Sequence, residues 1–216
     1  MTRISYNEIL ESGNSIARTL LVKRNVDKDV EYDEIETPSE DGKSVSLIMQ
    51  EIFQISQIWY FNKRDQNDIG KLEKERLLAR NSILKLEDTW FVDKIKIGDD
   101  KNLVSISDTK TVRYDLLKAL KEFAPCCIIT SSKWLNPVGF DVFECPYVEK
   151  NVHYLVPIGK DSKVDRSVAE FIISKDINEW KGNEKVGGNT RYELSEWIAV
   201  EVKNPNKFVK VCRKKT

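Results

Sequence analysis

The sequence predicts an α+β protein, with a helical N-terminal part packed on a mixed, largely antiparallel sheet and two further helices. Two observations carry this expectation. Apolar residues recur at three- and four-residue spacing through most of residues 1–88, the period of a helix with one buried face. Beyond residue 89 the period shortens, and brief β-branched and aromatic runs alternate with turn residues. The expected organisation is a mainly helical lobe over 1–88, carrying an acidic loop at 26–43, and an α+β sheet region over 89–216. The two are expected to form one compact unit.

Taken in order, Ser5 has the form of an N-cap with Glu8 as its capping-box partner. Ile9, Ile16, Leu20 and Leu21 then supply the inward face of a helix reaching about Arg24, across Gly13. Asp27 to Asp41 holds eight acids against one lysine, with Pro38 and an Asp41-Gly42 turn signal, and reads as a solvated loop or arm. Val45, Ile48, Met49, Ile52, Phe53, Ile55, Trp59 and Tyr60 predict a helix over Ser44–Arg64. Trp59-Tyr60-Phe61 at its end suits either a core or a protein contact. Asp65 or Asp68 would cap a helix to about Leu86, with Ile69, Leu72, Leu78, Ile83 and Leu86 inward.

Phe91–Ile97 alternates and precedes a Gly98-Asp99-Asp100 turn and Leu103–Ile106, which together predict a β-hairpin. Thr111–Phe123 is expected to be helical, ended by Pro125. Cys126–Thr130, Val138–Glu144 and Asn151–Val156 read as strands, and Val164–Ser174 as a helix around Val168, Phe171 and Ile172. A Gly187-Gly188-Asn189 turn then leads into strands over Tyr192–Lys203 and Phe208–Cys212.

Bulk properties narrow the function classes. Thirty-five basic residues balance thirty-five acidic ones, so no global basic excess marks a duplex-binding domain. Near-zero net charge also weakens self-repulsion and favours association. Met1–Glu8 lacks an apolar signal region, and the longest apolar runs, such as Ile58-Trp59-Tyr60-Phe61, are far too short to span a membrane. An intracellular, cytoplasmic protein with no membrane partner is expected. Cys126, Cys127, Cys145 and Cys212, with His153 as the only histidine, match no usual zinc spacing, so reduced thiols are expected. Cys127 and His153 could form a thiol–base pair, but a buried cysteine and a histidine on a strand account for them more simply.

One strand carries a chemical motif. Alternation along Glu196–Lys203 puts Glu201 and Lys203 on one face, opposite Val200 and Val202. This resembles the E-x-K half of the PD-(D/E)XK nuclease family. The resemblance implies a second acid from the preceding strand. Glu184, across the Gly187-Gly188 turn, is the geometric candidate; Glu193 lies nearer in sequence and Asp176 farther away. In that case Glu184 and Glu201 would hold Mg²⁺ while Lys203 orients or deprotonates water, making Glu184, Glu201 and Lys203 the catalytic set. The family's usual Pro-Asp dipeptide does not occur, and Lys203 is followed only by Asn204–Thr216. The simpler reading is a Glu/Lys pair on the exposed face of an antiparallel strand anchored by Trp197. The tail over 203–215 carries Lys203, Lys207, Lys210, Arg213, Lys214 and Lys215 without an acid, and suits nucleic-acid phosphates or the acidic segment of the same or a neighbouring chain.

These observations favour a non-enzymatic protein-interaction or self-assembling structural protein, homo-oligomeric and without a cofactor. A composition with Lys over Arg and with few alanines points to a low-GC source, a bacterium, a phage or an insect-type virus, and a structural protein of viral or phage origin is among the expectations. The alternative is the Mg²⁺-dependent nuclease.

Overall fold

The structure is a computed structural model that describes residues 3–26, 52–65, 67–97, 103–106, 126–131, 141–157, 169–202 and 208–213. The α+β class holds, with helices and two sheets. The chain divides into two units. One comprises Met1–Val22, Asp88–Glu170 and Val202–Thr216; the other comprises Lys23–Glu87 and Phe171–Glu201.

The first unit is built on β1 (Arg3–Ile4), β4 (Leu103–Ile106), β5 (Cys126–Thr130), β6 (Val142–Glu144), β7 (Val152–Pro157) and β10 (Val209–Arg213). They form one mixed sheet in the order β1-β6-β5-β7-β10-β4. β5 runs antiparallel to β7, and β7 antiparallel to β10, while β5–β6, β6–β1 and β10–β4 are parallel. Every residue of β5 is buried, as is β7 up to Val156. Near-continuous apolar runs such as Cys-Cys-Ile-Ile are what a strand covered on both faces requires.

Two short helices pack in this unit, α1 (Tyr6–Glu11) and α2 (Ile16–Leu20), where the spacing had predicted one helix to Arg24. The capping box forms as expected: the Ser5 N–H donates to Glu8 Oε2 at 2.6 Å and the Glu8 N–H to Ser5 Oγ at 3.3 Å. The helix then stops at Ser12, because Gly13 takes φ 75°, a left-handed conformation that ends helices. Ser15 starts the next helix by accepting the Arg18 N–H at 3.0 Å. Asp88, itself fully buried, reaches the same helix start and accepts the Ala17 N–H at 3.0 Å. Val22–Asn25 is then a strand, β2.

The long helix α3 spans Ile69–Ile97 and corrects the hairpin expected at 91–106. Phe91–Ile97 is helical although its apolar residues alternate in part. Ile83, Leu84, Glu87, Asp88, Phe91, Val92 and Ile95 are all buried, which is a helical stripe. No Gly or Pro interrupts residues 71–97. Leu103–Ile106 is a strand as expected, but it pairs parallel with β10.

The second unit holds a four-stranded sheet in the order β2-β8-β9-β3, with β3 over Phe53–Asn62, β8 over Ala169–Val186 and β9 over Asn189–Val202. β3 corrects the helix expected over Ser44–Arg64. Ile55 and Phe61 face inward while Gln54, Ser56, Ile58, Tyr60 and Asn62 are exposed, a period of two. The aromatic and β-branched run suits a pleated surface, and an antiparallel ladder from Phe53↔Ile198 to Asn62↔Asn189 overrides the chance helical spacing. β8 likewise corrects the helix expected at Val164–Ser174, because Phe171, Ile172 and Ile173 are consecutive strand residues buried together. The β8–β9 turn matches expectation: Gly187 and Gly188 both have positive φ, 59° and 84°, as a two-residue hairpin of type I′ requires.

The acidic segment Asp27–Asp41, residues 44–51, the helix expected at Thr111–Phe123, residues 138–140 and 164–168, and the tail at 203–207 and 214–216 lie outside the described residues.

Candidate assembly surface

The nuclease residues are placed as follows. Glu201 stands near the end of β9, where its carboxylate lies 3.6 Å from the Arg24 guanidinium of β2. Glu184 belongs to β8 close to the hairpin tip, its side chain outside the described set, and Lys203 also falls outside it. Glu184 precedes the turn by three residues and Glu201 follows it by thirteen. The ladder therefore separates them by about ten positions, on the order of 30 Å at ~3.3 Å per residue. Along the backbone, positions 184 and 201 therefore stand near opposite ends of the hairpin. Of the other acids considered, Glu193 pairs with Arg191 at 3.1 Å and exposed Asp176 accepts the Ile177 N–H at 2.7 Å. Among the described residues, no group of three His, Cys, Asp or Glu side chains is arranged to hold a metal ion.

The thiol–base pair does not form either. Thr130 lies opposite His153 in the β5–β7 ladder, whereas Cys127 lies opposite Val156. Three residues along a strand place Cys127 and Thr130 on opposite faces, so Cys127 and His153 point apart. His153 Nδ1 is instead 2.6 Å from Thr130 Oγ1, and burial lowers the imidazole to about 4. Burial pushes the thiols of Cys126 and Cys145 up to about 12 and that of Cys127 well above its ordinary value. Buried neutral thiols of this kind make poor nucleophiles.

What the second unit does present is surface. On its helix side, Leu77 of α3 meets Ile177 of β8 and Leu194 of β9 in a groove of about 300 Å³ rimmed by Arg76 and Arg80. Arg76 is fixed there: Nε donates to Glu179 Oε2 at 2.6 Å, a second nitrogen reaches the same oxygen, and Glu73 lies 3.3 Å away. Hydrogen bonding to Glu179 raises the guanidinium further above its ordinary value.

On the opposite side of the sheet, Ile58, Tyr60 and Trp180 are 47%, 53% and 48% exposed. Tyr60 is directly opposite Arg191 in the β3–β9 ladder, and Ile58 directly opposite Glu193. The Arg191 guanidinium lies 5.5 Å from the centre of the Trp180 ring, within cation–π range. Gly182 makes room for that ring: a side-chain carbon there would come within 2.6 Å of Trp180 Cη2 and Cζ3. Beneath, Trp59 and Tyr192 stack at 5.4 Å with planes 15° apart and hold the two strands in register from the buried side. The cluster at Trp59–Phe61 was visible in the sequence. Its division into buried Phe61 and exposed Tyr60 was not, because a helix was expected there.

No protein-family model matches the chain, and no curated protein matches it in sequence. Solved structures do match in fold. The virus-like particle protein from Pyrococcus furiosus has a TM-score of 0.67 and 17% identity over 95% of each chain. The SrpI encapsulin from Synechococcus elongatus has a TM-score of 0.63 and 9% identity, over 90% of this chain and 85% of that one. The capsid protein of an empty GTA particle has a TM-score of 0.63 and 10% identity, over 100% of this chain and 95% of that one. The chain therefore has the fold of these shell proteins.

Proposed function

We propose that this chain is a self-assembling structural protein of virus or phage lineage, whose copies associate into a closed particle, and that it works without catalysis. The observation that carries the proposal is the match to the Pyrococcus furiosus virus-like particle protein over 95% of both chains. A likeness of that extent takes in residues of both sheets and of the long helix. Exposed apolar groups on the second unit and a formal charge of zero support the same reading, since both favour association of like copies.

Static and dynamic light scattering across a salt series tests the proposal. The expected result is a population many times the 25.0 kDa chain mass, with a narrow radius distribution. A strict monomer at high concentration in low and in high salt overturns it.

A further inference from the structure

We infer that the exposed face of β8, β9 and β3 is a two-fold contact between copies of this chain, in which the Tyr60–Arg191 row of one copy covers the Ile58–Glu193 row of the other. The inference deepens the shell proposal and rests on it. Tyr60 is paired with Arg191 and Ile58 with Glu193, so two adjacent rows each carry one exposed apolar residue and one charge. The charges are opposite, and Arg191 and Glu193 already lie 3.1 Å apart within the chain. A two-fold axis lying in the contact plane, across the strands and midway between the rows, exchanges the rows. It sets Arg191 over the partner copy's acid, Glu193 over its base, and Tyr60 over its aliphatic residue. An axis along β9 would oppose like charges instead. The face is thus complementary to itself, which is what an isologous contact demands.

The occupant follows from the same charges. Arg191 and Glu193 cancel, so these rows offer no excess of positive charge to attract a polyanion or an anionic lipid surface. Tyr, Trp and Arg are the residue types that anchor protein contacts, and here Trp180 lies held under Arg191 at 48% exposure. Three side chains fall short of the roughly 800 Å² per partner of a standard interface. They form the centre of a contact whose rim extends over neighbouring strand residues.

The test uses two charge variants of the full chain, Arg191→Glu and Glu193→Arg, separately and mixed. Each alone opposes like charges across the axis and also breaks the pair within its own chain. Mixed, an all-acidic row pair meets an all-basic one, while the pair within each chain stays broken. Sedimentation velocity at low salt is expected to show association weakened at least tenfold in each variant and restored to within about threefold of the parent in the mixture. Association of the single variants equal to the parent overturns the inference, as does a mixture no better than its components. Hydroxyl-radical footprinting of the unaltered protein supplies a reading independent of variant folding. Tyr60 and Trp180 are expected to be protected in the associated state and reactive on dilution; equal reactivity in both states overturns the inference. Particles that form from both single variants as from the parent remove the two-fold contact and leave the shell proposal standing. Dimers that form without particles remove the shell proposal and leave the contact standing.

Discussion

His153 and Asp88 show how single polar groups are carried inside the first unit. His153 sits on a buried strand with its Nδ1 against the Thr130 hydroxyl, and burial holds it near 4 against an ordinary 6.5. As pH falls, the unfolded chain takes up the proton first. The stability tied to the neutral imidazole is therefore complete above 6.5 and is lost as pH falls from 6.5 to about 4. The stability advantage of the parent over His153→Gln is expected to shrink by about 3 kcal/mol between pH 7 and pH 4, at 1.36 kcal/mol per unit. Urea titrations of both proteins at the two pH values measure it, and an advantage independent of pH contradicts the assignment. Asp88 accepts the Ala17 N–H at the start of α2. Asp88→Ala removes this cap from a buried site and is expected to cost about 1–3 kcal/mol, while Asp88→Asn, which keeps an acceptor oxygen, costs less. Thermal unfolding of the two variants ranks them.

At the scale of elements, the sequence was most legible where local chemistry and tertiary context agreed. Ser5 and Glu8 identified their capping box, Gly187-Gly188 their hairpin turn, and Cys126–Thr130 a buried strand. It misled where one run fits both periods. Phe53–Asn62 places apolar residues at helical spacing by coincidence, and ten ladder partners on β9 decide for a strand. Phe91–Ile97 is the converse case, in which alternation yields to the buried stripe running down from Ile83. The E-x-K motif shows a further limit. Spacing put Glu201 on a strand correctly, yet only the length of the hairpin shows that position 184 lies far up the strands from it. The outer face of β3 went unseen because its alternation appears only once the segment is known to be a strand. Gly182 offers a test of that face. Gly182→Ala puts a carbon where the Trp180 ring lies, so the ring must leave its place beside Arg191. Because Trp180 is half exposed, stability is expected to change by no more than about 1 kcal/mol. Tryptophan emission should shift to the red and association should weaken, and unchanged association contradicts a role for the ring.

For the whole molecule, a fold shared with particle-forming proteins and a formal charge of zero support the proposal that the chain functions through its copies. Balanced charge was already evident in the sequence and favoured a self-associating structural protein. The fold was not evident there, because matches of 17% identity and below leave little common sequence to recognise. Electron microscopy of the purified protein in negative stain tests the claim most directly. Closed, roughly isometric shells of uniform diameter are expected. Fields of dispersed particles of single-chain size, at a concentration where light scattering is otherwise measurable, would contradict it.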